Sequence, residues 1–273
     1  MPYRYSHYFV GAVLLVIVAG FWGSYFAKVG GAMPVAFHVH SISSMAWLLL
    51  LIVQHLSIHK RKNALHRQMG KASFVLFPFL ILGFVMIINV TIASWREGGE
   101  FITLMGPAFG IGMVIAIAAY LTLFYLALKH RRNIKLHAGY MLATPVILFE
   151  SPFSRVIGNY LPWMNVIGSE GPHAILDTIA ISDGIMFVFA MALYFMDRKH
   201  GAPWLVAAFF VALQAVLMWF GPWISLFATL MNAYAALPVP LTWALGLGLG
   251  AGVAWLGWEA GKPPRARPAA AAA

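Results

Sequence analysis

The chain has 273 residues, of which 62% are apolar, 15% aromatic and only 10% charged. Soluble domains carry roughly a quarter charged residues, and 18 Lys+Arg with 8 Asp+Glu are too few to cover the exterior of such a chain in water. A water-soluble globule is therefore excluded, and the composition points to an all-α polytopic helix bundle whose first partner is the lipid bilayer. The +10 formal charge does not imply a nucleic-acid partner, because no otherwise polar face exists to carry it. The absence of cysteine excludes disulfides, thiolate metal sites, iron–sulfur clusters and C-x-x-C-H haem attachment.

Apolar stretches of about 20 residues predict eight transmembrane helices, at 8–27, 34–57, 72–95, 106–128, 138–158, 174–196, 203–231 and 238–258. With a cytoplasmic N-terminus, the inner connections collect Arg4, the 60–71 and 129–135 clusters, Arg198, Lys199, Lys262, Arg265 and Arg267. That is 15 of the 18 cations, leaving Lys28, Arg96 and Arg155 outside. The positive-inside rule then places both termini in the cytoplasm. The basic loops are topology signals and take no chemistry.

Residues 1–200 are expected to form a six-helix core holding all ten histidines and seven of the eight acids. A two-helix hairpin over 201–260 follows, and then a disordered tail over 261–273 rich in Pro and Ala. In the last span, Gly246 with Gly250 and Gly248 with Gly252 form two G-x-x-x-G pairs, read as helix-packing devices.

Ionisable groups at membrane depth are costly and point to function. At 1.5 Å per residue, His40 sits about 9 Å inside the outer end of span two, Glu150 about 20 Å from the inner start of span five, and Asp183 about 14 Å below the outer start of span six. Arg155 follows near the outer end of span five. Glu150, Arg155 and Asp183 are thus the candidate catalytic groups, the alternative being an ion pair of Arg155 with Glu150 or Asp177 that locks helices together. On span two, His40, Ser44, Trp47, Leu51 and Gln54 fall on one stripe. That stripe is either a cofactor wall or a packing seam. Pro145 and Pro152 in span five each remove a donor, freeing carbonyls near Met141 and Leu148. His173 and Asp177, four apart, make with His40 a candidate Zn or Fe site.

His66 and His137 begin spans three and five on the cytoplasmic side. One imidazole from each of two helices is the geometry of bis-histidine haem ligation, with Arg67 placed to pair with a propionate. His55-x-x-x-His59 also looks like the first His box of membrane di-iron desaturases, but the further H-x-x-H-H boxes are absent.

The run His40-x6-Trp47-x6-Gln54, then Leu65-His66-Arg67-x-x-Gly70, Leu136-His137-x3-Met141-Leu142-Ala143-Thr144 and Arg155 resembles a large group of bacterial multi-pass membrane proteins. The resemblance spans roughly residues 35–158 and implies a fold, and a place in the bacterial inner membrane, more than an activity. More distantly the arrangement is similar to transmembrane b-type cytochromes, which implies haem b between His66 and His137 and an outer ligand at His40. Span four offers no histidine for a second pair. The leading expectation is a redox protein exchanging electrons with a quinone or small reductant near His40, Glu150, Arg155 and Asp177. The alternatives are a haem-free metal enzyme using His40, His173 and Asp177, with Glu150 as general base, and a proton-coupled transporter using Glu150 and Asp183. Oligomeric state is not legible.

Overall fold

The structure, a computed structural model, describes residues 3–263, so residues 264–273 of the expected disordered tail lie outside it. The helices are α1 (Ser6–Phe21), α2 (Val35–His59), α3 (Asn63–Glu97), α4 (Glu100–Lys129), α5 (Ile134–Tyr160), α6 (Ala174–Met196), α7 (Ala202–Phe220), α8 (Ser225–Ala235) and α9 (Val239–Ala260), joined by short loops and 3₁₀ turns. Among the described residues, six stretches are long and apolar enough to cross a membrane: Val35–His59, Asn63–Glu97, Glu100–Lys129, Gly171–Met196, Ala202–Trp223 and Val239–Ala260. The protein is therefore an all-α, multi-spanning membrane helix bundle. Of the other helices, α1 is apolar but only 16 residues long, and α5 has 27 residues with Pro145 and Pro152 inside it.

Successive long helices run up and down, which gathers the basic connections at one end. There His55 meets the Arg4 carbonyl, Lys135 binds Asp197 at 2.9 Å, and Arg131 donates to the Trp258 carbonyl at 2.8 Å. Lys28, Arg96 and Arg155 fall toward the opposite end, which also holds Glu97, Glu100, Glu170 and Asp177.

The stretch expected as one span at 203–231 is two helices. Here α7 stops at Phe220, Gly221–Trp223 makes a 3₁₀ turn, and α8 has 11 residues, about 16 Å of rise and too short to cross. Pro222 supplies no amide to the ladder. The C-terminal region thus contains three helices rather than two, with α7 packed on α6 and α4 and α9 packed on α3 and α4.

The two glycine pairs of α9 also separate. A Cβ on Gly250 would stand 2.6 Å from Pro78 Cα and one on Gly246 3.0 Å from Val85, whereas Gly248 and Gly252 meet nothing. Only the first pair seats α9 on α3.

The core is widest in the half toward the basic end. Trp47, Phe77, Tyr120, Leu123 and Phe124 are fully buried there, and Trp47 packs with ring centroids 5.4–5.5 Å from Phe124 and Phe77.

Candidate functional site

In the other half the helices stand apart around a cavity of about 830 Å³, rimmed by the loops after α1 and α5. Two irregularities shape its wall. Pro145 removes the amide that would serve the Met141 carbonyl; Thr144 Oγ1 donates to that carbonyl at 2.8 Å instead. The same hydroxyl accepts from Trp47 Nε1 at 2.9 Å, and Tyr120 donates to the Thr144 carbonyl at 3.0 Å. Farther along, α1 presses so close to α5 that a Cβ on Gly20 would overlap the Pro152 carbonyl oxygen. Between these two points α5 presents Glu150 and Ser151 to the cavity.

Glu150 is buried, and its Oε2 accepts from Gln214 Nε2 at 3.0 Å. Facing α5 across the space, α2 contributes His40 and Ser44, and the His40 Nδ1 and Ser44 Oγ are buried without a hydrogen-bond partner. The His40 ring leans edge-on against Phe84, with centroids 4.8 Å apart. Arg155 stands on the wall near the mouth, donating to the Ser151 carbonyl at 2.7 Å and the Ser151 hydroxyl at 2.8 Å, with its guanidinium 4.6 Å from the Phe21 ring centroid. Among the described residues it makes no ion pair with Glu150 or Asp177. The rest of the wall is mostly apolar, with Phe37, Ile87, Val90 and Met113 among it.

The structure brings His40, Glu150 and Arg155 to one cavity and leaves other expected site residues outside its lining. Trp47 is wholly buried in the core, held by Thr144, so the α2 stripe is a cavity wall at His40 and a packing seam at Trp47. His173 stands between Trp219 and Trp223, with ring centroids 4.7 and 4.8 Å away. Asp177 is fully buried and accepts from the Ser169 amide at 2.7 Å. His40 instead packs on α3, so the expected His40–His173–Asp177 ligand set is not assembled. Among the described residues no three His, Asp or Glu side chains converge to hold a metal ion. Asp183 is buried, with neither carboxyl oxygen hydrogen-bonded.

At the basic end, Gln54 explains much of the motif. With its amide turned to satisfy both ends, Nε2 donates to His66 Nδ1 at 2.7 Å and to the His66 carbonyl at 3.0 Å, and Oε1 accepts from the Gly70 amide at 2.8 Å. Gln54 therefore ties α2 to the start of α3. His137 Nδ1 donates to the Ala127 carbonyl at 2.8 Å, the usual way an imidazole leaves Nε2 free for iron. His66 is set up the opposite way. Accepting at Nδ1 puts its proton on Nε2, so the two imidazoles are hydrogen-bonded in different tautomers. Arg67 is exposed at the same end.

Gln214 was not singled out by the sequence, because α7 carries no charged or His residue. The available signal was a single amide inside an otherwise apolar 19-residue helix, which in lipid needs a buried partner.

No family model matches the chain, and neither does any curated protein or solved structure.

Proposed function

We propose that the protein binds a lipid-soluble small molecule with a hydrogen-bonding head, of the quinone class, in this cavity, as a redox-linked component of a bacterial cytoplasmic membrane. The observation that carries the reading is a buried carboxylate, Glu150 braced by Gln214, on the wall of a mostly apolar space of about 830 Å³. Small-molecule sites are typically about 300–1,000 Å³, largely apolar, with a few convergent polar groups. A quinone offers carbonyl oxygens and its quinol offers hydroxyls. Ser44, Ser151 and Arg155 donate to the first and Glu150 accepts from the second, so both states find partners, and Glu150 and His40 exchange the head's protons. The apolar body lies along Phe37, Ile87, Val90 and Met113. The positive-inside rule puts the basic end in the cytoplasm and both described chain ends with it, the cavity opening to the other face, with eight crossings made by α1 to α7 and α9.

The test is equilibrium binding of decylubiquinone to the protein in lipid nanodiscs. E150Q and H40A are expected to weaken it by about tenfold each, the worth of one charge-assisted hydrogen bond, with unfolding temperature unchanged or raised. Binding indifferent to both substitutions overturns the assignment. A reduced-minus-oxidised spectrum of the same preparation tests the haem expected at His66 and His137; a b-type band lost in H66A and H137A would assign those two ligands.

A further inference from the structure

At the basic end three imidazoles stand in a file. His7 of α1 faces His55 of α2 with ring centroids 4.9 Å apart, and His55 stacks on His59, one turn further along α2, at 4.1 Å. We propose that this file is a proton-operated fastening between α1 and α2, closed while its rings are neutral and released when they take up protons. The inference does not depend on what occupies the cavity. The middle ring makes the join: Ser6 donates to His55 Nδ1 at 2.8 Å, and His55 Nε2 donates to the Arg4 carbonyl at 3.2 Å. Together these bonds specify a neutral ring with its proton on Nε2. His59 Nδ1 donates to the His55 carbonyl at 2.9 Å, which leaves a bare lone pair on its Nε2. That nitrogen is buried without a partner, and so is Nδ1 of His7.

A proton on His59 Nε2 therefore meets no acceptor, and a second charge would stand one ring away from the first. Among the described residues no carboxylate pairs with any of the three rings. The acids of this end are engaged elsewhere, Asp197 by Lys135 and His200 and Glu259 by Lys262. The other titratable groups around the file are cations, imidazoles or phenols. On α1 and just before it, Arg4 lies over the Tyr5 ring, the Tyr8 ring stands 4.1 Å from His7, and Tyr3 packs on Trp204. Lys60, Arg61 and Lys62 follow α2 directly. On α3, His66 is held by Gln54, while Arg67 and Lys71 are exposed. On α5, His137 is held by the Ala127 carbonyl and Lys135 by Asp197. Charged rings in this setting are solvated only by turning out to water, which opens the stack and takes the partner from Ser6 and from the Arg4 carbonyl. Protons thus bind the released form better than the closed one. The fastening is complete above the ordinary imidazole range, near pH 6.5, and is lost as pH falls below it. The helix it holds is also a wall of the cavity, through Ile17 and Phe21.

Because the chain has no cysteine, a pair of spin labels at Y5C and A64C reports the position of α1 against the end of α2 without a background. Both positions are exposed. Double electron–electron resonance of the full chain in nanodiscs is expected to give one distance population at neutral pH. A second, longer population is expected to grow as pH falls through about 6.5, to vanish when neutral pH is restored, and to leave helix content by circular dichroism unchanged. In the same labelled chain H7N with H59N removes the outer rings and leaves the His55 bonds, so the single population is expected to persist to about pH 5. H55L is expected to show the longer population already at neutral pH, and the H7N/H59N chain keeps the test valid where H55L fails to fold. A single population at every pH overturns the proposal. So does a second population that survives in H7N/H59N, or one that appears only with loss of helix.

Discussion

The two ends of this bundle are built from the same helices, yet only one of them opens into a cavity lined by unpartnered polar atoms. Toward the basic end Trp47, Thr144, Tyr120, Gln54, His66 and His137 form pairs in which a donor meets an acceptor. Toward the acidic end His40, Ser44, Asp177 and Asp183 each keep a buried atom without a partner. At the basic end the unpartnered buried atoms are ring nitrogens of His7 and His59, beside these satisfied pairs; at the other end a cavity remains, on whose wall His40 and Ser44 wait on something outside the chain. Stability is thus expected to concentrate in the closed half and ligand chemistry in the open half, a division that substitutions can break or sharpen.

The largest effect is expected for W47A, which empties a wholly buried site and leaves Thr144 Oγ1 without its donor. A loss of about 3–5 kcal/mol in unfolding free energy follows, read by thermal or denaturant unfolding in detergent. A W47A protein as stable as the wild type would break the comparison at its strongest point. Next comes G20A, whose new methyl meets the Pro152 carbonyl. It is expected to cost about 1–3 kcal/mol and to alter ligand affinity as well, since the contact sets one wall of the cavity. Q54L removes the ties to His66 and Gly70 and is expected to cost about 1–2 kcal/mol with ligand affinity unchanged; a change in affinity would show that the two ends communicate.

The smallest effect is a pH dependence outside the bilayer. Hydrogen bonds from Lys135 and His200 hold the Asp197 carboxyl below its usual value. Because the folded value is depressed, the stabilisation is present above the ordinary carboxylate range, near pH 4, and is lost as pH falls through the folded value. D197N is expected to flatten that limb of the stability–pH curve slightly. An unchanged curve would show that the exposed pair contributes nothing.

Several features of this division are legible in the residues. The single stripe on α2 carries one side chain into each region: His40 into the cavity, Trp47 into the core and Gln54 into the seam at the basic end. Helical periodicity aligns the three but does not say which faces a void, since that depends on how far α5 stands from α2. The same limit applies to the metal set. Four-residue spacing puts His173 and Asp177 on one face, but the Trp219 and Trp223 rings claim the first and the Ser169 amide claims the second. The break at Gly221-Pro222 was written in the chain, yet hydropathy runs through it without a dip. Gln214 was equally visible but has meaning only once α7 lies beside Glu150.

From sequence alone came the solvent of this protein, its all-α class with several long apolar helices along the chain, and the distribution of basic loops. Those properties follow from composition and from distances counted along one helix. Tertiary structure decided which imidazoles and carboxyls meet, where the proline-freed carbonyl finds its donor, and that one half of the bundle closes while the other stays open. Each of these depends on the spacing between helices, which is set by glycine contacts and ring packing between residues far apart in the chain.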